Sequence, residues 1–413
     1  MSVLSSPLRR AVAAATGALI AAGGLAGPAA AARPEVDTVA EWYDVTAAAV
    51  AAGTEPQVTD SRTWAIGWLA AARALRRTPT FTEPGPARQY RDAALATAVH
   101  HALRALVPDR AAPLDAALAT TLGRIPAGAP RERGVAAGRT EAAELLGART
   151  GDGLDPAGVN APFPTPQPAP GVWQPTPPTF DPAQQAGNRV AKPFVLPAAD
   201  RFRPATPPAV GSAPYHRDLA EVRAYGSAAS TARTAAQTDT ATFWLGSSLT
   251  LYTGVLRAAV VQSAAPTADR AALVAVFHAA LVDTQIATSD AKYAYLTWRP
   301  VTAIRAGGEA AWTPLHRTPA HPDYPSGHNT YSGAAEAVLT ALVGEHARAP
   351  FSIGSPTQPG AVRTYRAWRT LTDENVDARV FSGIHTRTAD IVGAELGRRV
   401  GAYAVRNAGA LLD

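Results

Sequence analysis

The sequence predicts an all-helical fold, because apolar residues recur at helical spacing through most of its 413 residues. Leu273, Phe277 and Leu281 repeat every four residues, and apolar residues between positions 335 and 342 follow the face of one helix. Sustained strand alternation is not found anywhere. Hydrophobic residues make up 47% of the chain, which is enough for a large buried core.

Residues 1–32 read as a secretory signal peptide. Arg9 and Arg10 precede an apolar run over residues 11–26, and alanines at 30–32 form a small-residue cleavage site before Arg33. The run is too short to span a bilayer comfortably, so a retained anchor is the weaker alternative. We therefore expect a secreted, extracellular protein without a stable membrane span.

The remaining chain divides into three parts by composition. Residues 33–150 are predicted to be an N-terminal helical half, and residues 216–413 a C-terminal helical bundle that carries the active site. Residues 151–215 hold 16 of the 36 prolines, too many for helix interiors. This segment is either disordered or wraps around the helices, and we favour wrapping because it offers aromatic anchors. These are Trp173, Phe180, Phe194 and Phe202.

Sulfur and charge exclude several functions. There is no Cys and Met1 is the single Met, so disulfides and thiolate metal sites are ruled out. If the signal peptide is removed, the mature chain holds no sulfur, which suits a protein that makes a strong oxidant, although compositional drift explains the same observation. The formal charge of +5 is not concentrated in long Lys/Arg runs, which argues against nucleic-acid binding.

A first cluster of candidate site residues lies between Lys292 and Pro300. Lys292 and Arg299 are seven residues apart, which predicts two cations on one helix face, and Pro300 would end that helix. Such a pair suits an anion with several oxygens, since Arg adds a planar fork of donors. Taken alone, a solvated basic face is the simpler interpretation.

A second cluster runs from His321 to His328. Ser326 is a plausible N-cap for the helix pattern that follows, so backbone N–H groups and the helix dipole would face an anion there. Gly327 allows close backbone approach, and the His328 imidazole could exchange a proton. An ordinary capped helix with an incidental His is the alternative.

A third cluster contains Arg379 and His385, six residues apart. One straight helix would point them in different directions, so Gly383 predicts a bend that lets them converge. Asp390 could then orient His385 as a hydrogen-bond acceptor. The alternative for His385 is a satisfied core histidine.

Together, a Lys six residues before Arg-Pro, then Pro-Ser-Gly-His, then an Arg five residues before His resemble three known signatures. They are those of the vanadium-dependent haloperoxidase and type 2 phosphatidic acid phosphatase (PAP2) superfamily, here its bacterial haloperoxidase-like branch. The motifs cover residues 292–390, and a weaker similarity extends back to about Asp37. The resemblance implies an all-α fold of two four-helix-bundle-like units, of the vanadium chloroperoxidase and acid phosphatase type.

The resemblance also implies a role for each motif residue. Vanadate, or phosphate in a phosphatase, would be held at its equatorial oxygens by Lys292, Arg299, Arg379, Ser326 and the amide of Gly327. His328 would be the acid–base histidine, and His385 would bond to vanadium or phosphorus. Two departures stand out: Ala378 replaces the usual Ser before Arg379, and Ala389 takes the place of the usual Asp, which appears one residue later as Asp390.

Within this superfamily we favour a haloperoxidase, which uses hydrogen peroxide to oxidise a halide and halogenate a small organic acceptor. His321 occupies the position where bromoperoxidases carry a His, so bromide is favoured, and Trp298 could line the same halide site. Lys292 would polarise bound peroxide. An acid phosphatase acting through a phosphohistidine is the first alternative. The second is a secreted oxyanion-binding protein whose site has lost its catalytic activity. The oligomeric state is left open.

Overall fold

Fifteen α-helices and one β-hairpin form residues 36–413, the part of the chain that this computed structural model describes. The predicted signal peptide lies outside the described residues. The all-helical prediction is confirmed apart from the hairpin.

Six helices precede and enter the proline-rich segment. They are α1 (Thr38–Ala51), α2 (Gln57–Arg76), α3 (Pro84–Leu106), α4 (Ala111–Arg124), α5 (Ala129–Ala148) and α6 (Pro156–Val159). The helix α2 is apolar on most of its surface, and its residues 63–72 are buried on all sides. An all-round apolar helix belongs inside a core, and α2 packs between α3, α5 and the central helix of the C-terminal half.

The proline-rich segment lies along that central helix. The Asp283 carboxylate accepts three backbone N–H groups of the segment, from Phe194, Val195 and Leu196, at 2.6–2.7 Å. Of the four expected aromatic anchors, Trp173 is fully buried and Phe194 and Phe202 are partly buried. Phe180 is 62% exposed, so its prediction as an anchor is wrong.

Nine helices follow. They are α7 (Ala213–Tyr225), α8 (Ala235–Phe243), α9 (Ser248–Gln262), α10 (Thr267–Tyr295), α11 (Pro300–Ala306), α12 (Gly327–Val343), α13 (Trp368–Phe381), α14 (Arg387–Arg406) and α15 (Ala408–Leu412). The central helix α10 contacts α2, α12 and α14. By length and composition alone α10 could cross a membrane, but 94% of its apolar window is buried inside the protein.

Small residues let α12 and α14 approach each other closely. A Cβ atom on Gly333 would overlap the backbone of Ala394, and one on Gly397 would overlap the carbonyl oxygen of Thr330. The two helix backbones are therefore in direct contact. This contact brings the first turn of α12 next to the first turn of α14, where two of the three sequence motifs lie.

The β-hairpin contradicts the expectation that the chain has no strands. It pairs β1 (His346–Ser355) with β2 (Gln358–Ala367) in antiparallel register around a two-residue turn. The alternation is masked in the sequence, because Arg363 lies on the partly buried face of β2 while Val362 is 65% exposed. Tertiary packing therefore overrides the local pattern here.

Candidate active site

The first motif does not lie on one helix, so the prediction for Lys292 and Arg299 is wrong in this respect. The helix α10 ends at Tyr295, and Leu296 adopts a left-handed conformation with φ 49°. Pro300 begins α11 instead of ending α10, because its fixed φ and missing N–H suit a first helical position. Arg299 is extended, as expected before proline. The break lets both cations reach one cluster.

Lys292 and Arg299 are both buried and donate mainly to backbone carbonyls. Lys292 Nζ donates to Pro322 O at 2.5 Å and to Asp323 O at 3.0 Å. Arg299 Nη1 donates to Ile384 O at 2.7 Å. The same two cations thus contact both the second motif and the third.

Arg299 also faces two imidazole rings. Its Nη2 lies 2.9 Å from His321 Nδ1, and its Nη1 lies 3.2 Å from His385 Nε2. Because a guanidinium can only donate, these ring nitrogens carry lone pairs. The structure thus places His321, predicted as a halide-site residue, in contact with the predicted anion site.

The second motif begins α12 with Ser326 at the N-cap position, as predicted. Its hydroxyl does not cap the helix, and Ser326 Oγ is buried without a hydrogen-bond partner. A Cβ on Gly327 would lie 4.0 Å from Lys292 Cε, so the lysine reaches the start of the helix. The helix start therefore combines backbone N–H groups, an unpaired hydroxyl and a cation.

His328, one residue further on, is held by the backbone. Its Nε2 lies 2.9 Å from the carbonyl oxygen of Gly246, so Nε2 carries the hydrogen and donates it. Among residues 36–413 no carboxylate hydrogen-bonds to His328. A backbone carbonyl therefore fixes the tautomer of the predicted acid–base histidine, and Nδ1 is left as the acceptor.

The third motif spans the end of α13 and the loop before α14. Gly383 has φ +76°, and a Cβ there would overlap Gly226 O, so the predicted bend requires glycine. The bend separates Arg379, inside α13, from His385 in the loop. Arg379 is buried, donates to Trp244 O at 3.1 Å and keeps its Nε unpaired.

The carboxylate that orients His385 is Asp323, and the prediction of Asp390 is wrong. His385 Nδ1 lies 2.6 Å from Asp323 Oδ1, and both side chains are 1% exposed. Asp390 instead accepts a hydrogen bond from Asn329 Nδ2 at 2.7 Å. The acid lies inside the second motif, but its partner lies 62 residues away in sequence, so spacing could not reveal the pair.

Burial and mutual repulsion weaken the proton affinity of the basic site residues. Burial, with the nearby Arg379, lowers the pKa of His328 to about 3. Burial, reinforced by Arg299, holds the pKa of Lys292 and that of His385 well below their usual ranges. Burial also lowers the pKa of Arg379 to about 10. Such a cluster of buried cations is stabilised by a bound anion.

The pKa values of the buried carboxyl groups are raised, whereas those of the basic residues are lowered. Burial raises the pKa of Asp390 to about 8, so most molecules carry a proton on this group at neutral pH. Burial also raises the pKa of Asp323, although Arg299 and Lys292 oppose that shift. The site's positive charges are therefore only partly balanced by the protein itself.

Trp298 lies beside the candidate site. It lines a small cavity of about 30 Å³ together with Tyr215, Asp218 and Asp323. Its ring stacks on Tyr215 at a centroid distance of 6.4 Å. Its role as a halide-site residue stays a prediction.

The family prediction is confirmed by comparison with known proteins. Residues 272–413 match the family model of the VCPO second helical-bundle domain. The C-terminal part of the chain, and with it the candidate site, is therefore similar to the second helical bundle of that family. No curated protein matches the sequence.

Solved structures extend the likeness to most of the chain. A bacterial vanadium-dependent iodoperoxidase superposes with a TM-score of 0.75 at 23% identity, covering 90% of this chain and 97% of that one. The apo form of a bacterial vanadium-dependent chloroperoxidase gives 0.68 at 17% identity, covering 87% and 95%. A holo-type structure of a bacterial vanadium-dependent chloroperoxidase gives 0.64 at 16% identity, covering 87% and 93%. These likenesses show that the chain has the haloperoxidase fold.

Proposed function

We propose that the chain is a secreted, vanadate-dependent haloperoxidase that uses hydrogen peroxide to oxidise a halide, with bromide favoured, and so halogenates an organic acceptor. One observation carries the proposal. A buried imidazole, His385, has its Nδ1 fixed by Asp323 and its Nε2 lone pair directed into a cluster of cations. The predicted enzyme class, a peroxidase, is supported by the haloperoxidase fold of the chain.

The residues present fit an oxyanion such as vanadate. Arg379 Nε is buried and lacks a partner within the described protein, so it has a free donor for an anion oxygen. The buried Ser326 hydroxyl lies near the Asp390 carboxyl and can turn its hydrogen toward the anion instead. Lys292, Arg299 and Arg379 supply charge, and His385 Nε2 supplies the lone pair for a bond to the central atom. A carboxylate behind a metal-bound imidazole is the arrangement that raises ligand basicity.

Bound vanadate would supply a Lewis acid that activates hydrogen peroxide toward a halide without a change of oxidation state. The chain's own residues bind and orient the reactants. Lys292 and Arg299 offset negative charge in a buried setting, where electrostatic interactions are strong. His328 Nδ1 can take up a proton as peroxide binds and return it later, since Nε2 stays bonded to Gly246 O.

Two observations support bromide and a haloperoxidase. The imidazole of His321 contacts Arg299, so it lies at the edge of the anion cluster and can contact an incoming halide. The sequence holds no Cys and only Met1, so residues 36–413 contain no easily oxidised sulfur.

The same geometry also permits phosphoryl transfer. A carboxylate-oriented imidazole is an activated nucleophile, so His385 Nε2 could attack phosphorus while His328 protonates the leaving group. Phosphatase activity is therefore the second candidate, and its test belongs beside that of the first.

The experiment begins with protein freed of phosphate by dialysis. Orthovanadate, hydrogen peroxide and bromide, iodide or chloride are added, and bromination or iodination of a dye is followed. Aryl phosphate hydrolysis is measured in parallel without vanadate. We expect vanadate-dependent halogenation that is lost in His385→Ala and kept in His346→Ala, a histidine on the exposed side of β1.

Hydrolysis without halogenation would select the phosphatase. Tight oxyanion binding without either activity would favour the second alternative, an oxyanion-binding protein that has lost its catalytic activity. Halogenation that is fastest with iodide would overturn the bromide preference and keep the haloperoxidase.

A further inference from the structure

The turn of the β-hairpin holds the end of α8 by hydrogen bonds to its carbonyl groups. Thr357 Oγ1 donates to Thr242 O at 2.7 Å, and Ser355 Oγ donates to Phe243 O at 2.7 Å. The two hydroxyls lie 3.0 Å apart, so they form one polar group on the turn. The end of α8 is thus fixed from the hairpin side.

The hairpin also packs tightly against the loop that continues from α8. A Cβ on Gly246 would lie 2.6 Å from Pro356 Cγ, closer than real Cβ contacts allow. The Tyr365 ring of β2 meets Trp244 edge-on at a centroid distance of 6.4 Å. Hydrogen bonds and packing therefore act on the same five residues, 242–246.

Residues 242–246 face the active site with their other carbonyls. Arg379 Nη1 donates to Trp244 O at 3.1 Å, and His328 Nε2 donates to Gly246 O at 2.9 Å. Two carbonyls of this segment accept from the hairpin, and two others accept from the anion-binding arginine and the acid–base histidine. The segment connects the hairpin with the site.

The segment has little regular structure of its own to hold these directions. Thr242 and Phe243 end α8, and the next three residues precede α9, which starts at Ser248. The backbone N–H groups of residues 244 and 245 donate to Thr240 O at 3.2 Å and to Thr242 O at 3.3 Å, but neither bond holds the carbonyls of residues 244 and 246. The orientation of the carbonyls at 244 and 246 therefore depends on what packs behind them.

We infer that the hairpin turn, Ser355–Pro356–Thr357, is a positioning element of the active site, which sets the geometry of His328 and Arg379 through residues 242–246. None of the three turn residues hydrogen-bonds to a site side chain, so they act through the backbone. The inference deepens the proposed function, because it explains how the acid–base histidine is oriented without a carboxylate partner.

The test compares two double variants of the same hairpin. Ser355→Ala/Thr357→Val removes both hydroxyls that hold residues 242 and 243. Ser352→Ala/Thr364→Val removes a hydroxyl pair that bridges the strands at 2.8 Å on the exposed face, and serves as control. Inorganic phosphate affinity is measured by calorimetry, kcat and KM by halogenation, and folding by circular dichroism and thermal unfolding.

We expect the turn variant to stay folded, to bind phosphate about tenfold more weakly and to lose about tenfold in kcat, since small misplacements of catalytic groups cost that much or more. The control should match the wild type in each measurement. Equal losses in both variants, or wild-type values in the folded turn variant, would overturn the inference. If the double variant does not fold, Thr357→Val alone, at an exposed position, carries the same comparison.

A direct readout separates this inference from the proposed function. Nitrogen-15 spectra of histidine-labelled protein report which ring nitrogen carries hydrogen, and His328→Gln assigns the signal. The Nε2–H tautomer of His328 should be lost or mixed in the turn variant and intact in the control. If wild-type protein binds neither phosphate nor vanadate, the proposed function fails, and the tautomer signal alone decides the inference.

Discussion

Asp323→Asn should change phosphate and vanadate affinity in opposite directions. The side chain keeps its size, so Thr386 can still hydrogen-bond to it, but the negative charge behind His385 is removed. Asp323 has two opposing effects on an anion at this site. Its charge repels the anion, while its hydrogen bond orients the imidazole and increases its basicity.

The repulsion can be estimated from the geometry. With Asp323 Oδ1 at 2.6 Å from Nδ1 and the ring in between, the carboxylate lies roughly 7 Å from an anion bonded to Nε2. At an effective dielectric constant of about 20, one unit charge at that distance contributes about 2 kcal/mol of repulsion. This corresponds to about thirtyfold in affinity for each unit of charge on the anion.

We therefore expect phosphate, held by charge and hydrogen bonds alone, to bind Asp323→Asn more tightly than the wild type, by up to about thirtyfold for each unit of its charge. Vanadate, which needs the oriented Nε2, should bind roughly 10–100-fold more weakly. The assay is calorimetry of the phosphate-free protein with phosphate, and vanadate titration followed by recovered halogenation.

Asp373→Asn, an exposed carboxylate on α13, is the matched control for the change of charge. It should leave both affinities unchanged. Parallel losses of phosphate and vanadate binding in Asp323→Asn, or unchanged vanadate binding, would refute the assigned role of Asp323.

Three further predictions follow from the structure. The free-site pKa of His328, about 3, should rise when an anion offsets the nearby cations, so sulfate affinity should increase as the pH falls below neutrality. His328→Gln should weaken that dependence in calorimetry, and the part that remains is due to protonation of Asp323, whose pKa burial raises to about 6. Asp283→Ala removes the acceptor of three backbone N–H groups, so it should lower the free energy of unfolding by about 3 kcal/mol and expose residues 151–215 to proteolysis. The control Asp290→Ala breaks a peripheral ion pair and should lower the free energy of unfolding by less than about 1 kcal/mol. Gly397→Ala should destabilise the α12–α14 contact by more than about 3 kcal/mol in chemical denaturation. Gly123→Ala, an open helical position, should stabilise by about 0.5 kcal/mol.

The sequence could predict that the three motifs lie close together in space, because each of them supplies groups that bind an anion. Cations at 292, 299 and 379 have little reason to be buried unless they bind one anion, and the structure places all three inside the protein. The bend at Gly383 was also predictable, since only glycine fits its φ of +76°. Such features depend on local conformational rules and on residue type.

Other parts of the site could not be read from spacing. The expected single helix for Lys292 and Arg299 failed because a proline that can end one helix can equally begin another. The hairpin was missed because a partly buried Arg363 and an exposed Val362 reverse the usual alternation. In both cases packing against distant residues decided between two locally acceptable structures.

The sequence by itself determined that the chain is mostly helical and which side chains supply the positive charge of the candidate site, because periodicity and residue chemistry are local properties. Only the tertiary structure decided that Asp323, not Asp390, orients His385, and that the Gly246 carbonyl holds His328. Which groups form hydrogen bonds depends on atomic positions to within a fraction of an ångström. Those positions are set by the contacts between whole helices and by the hairpin that packs behind the site.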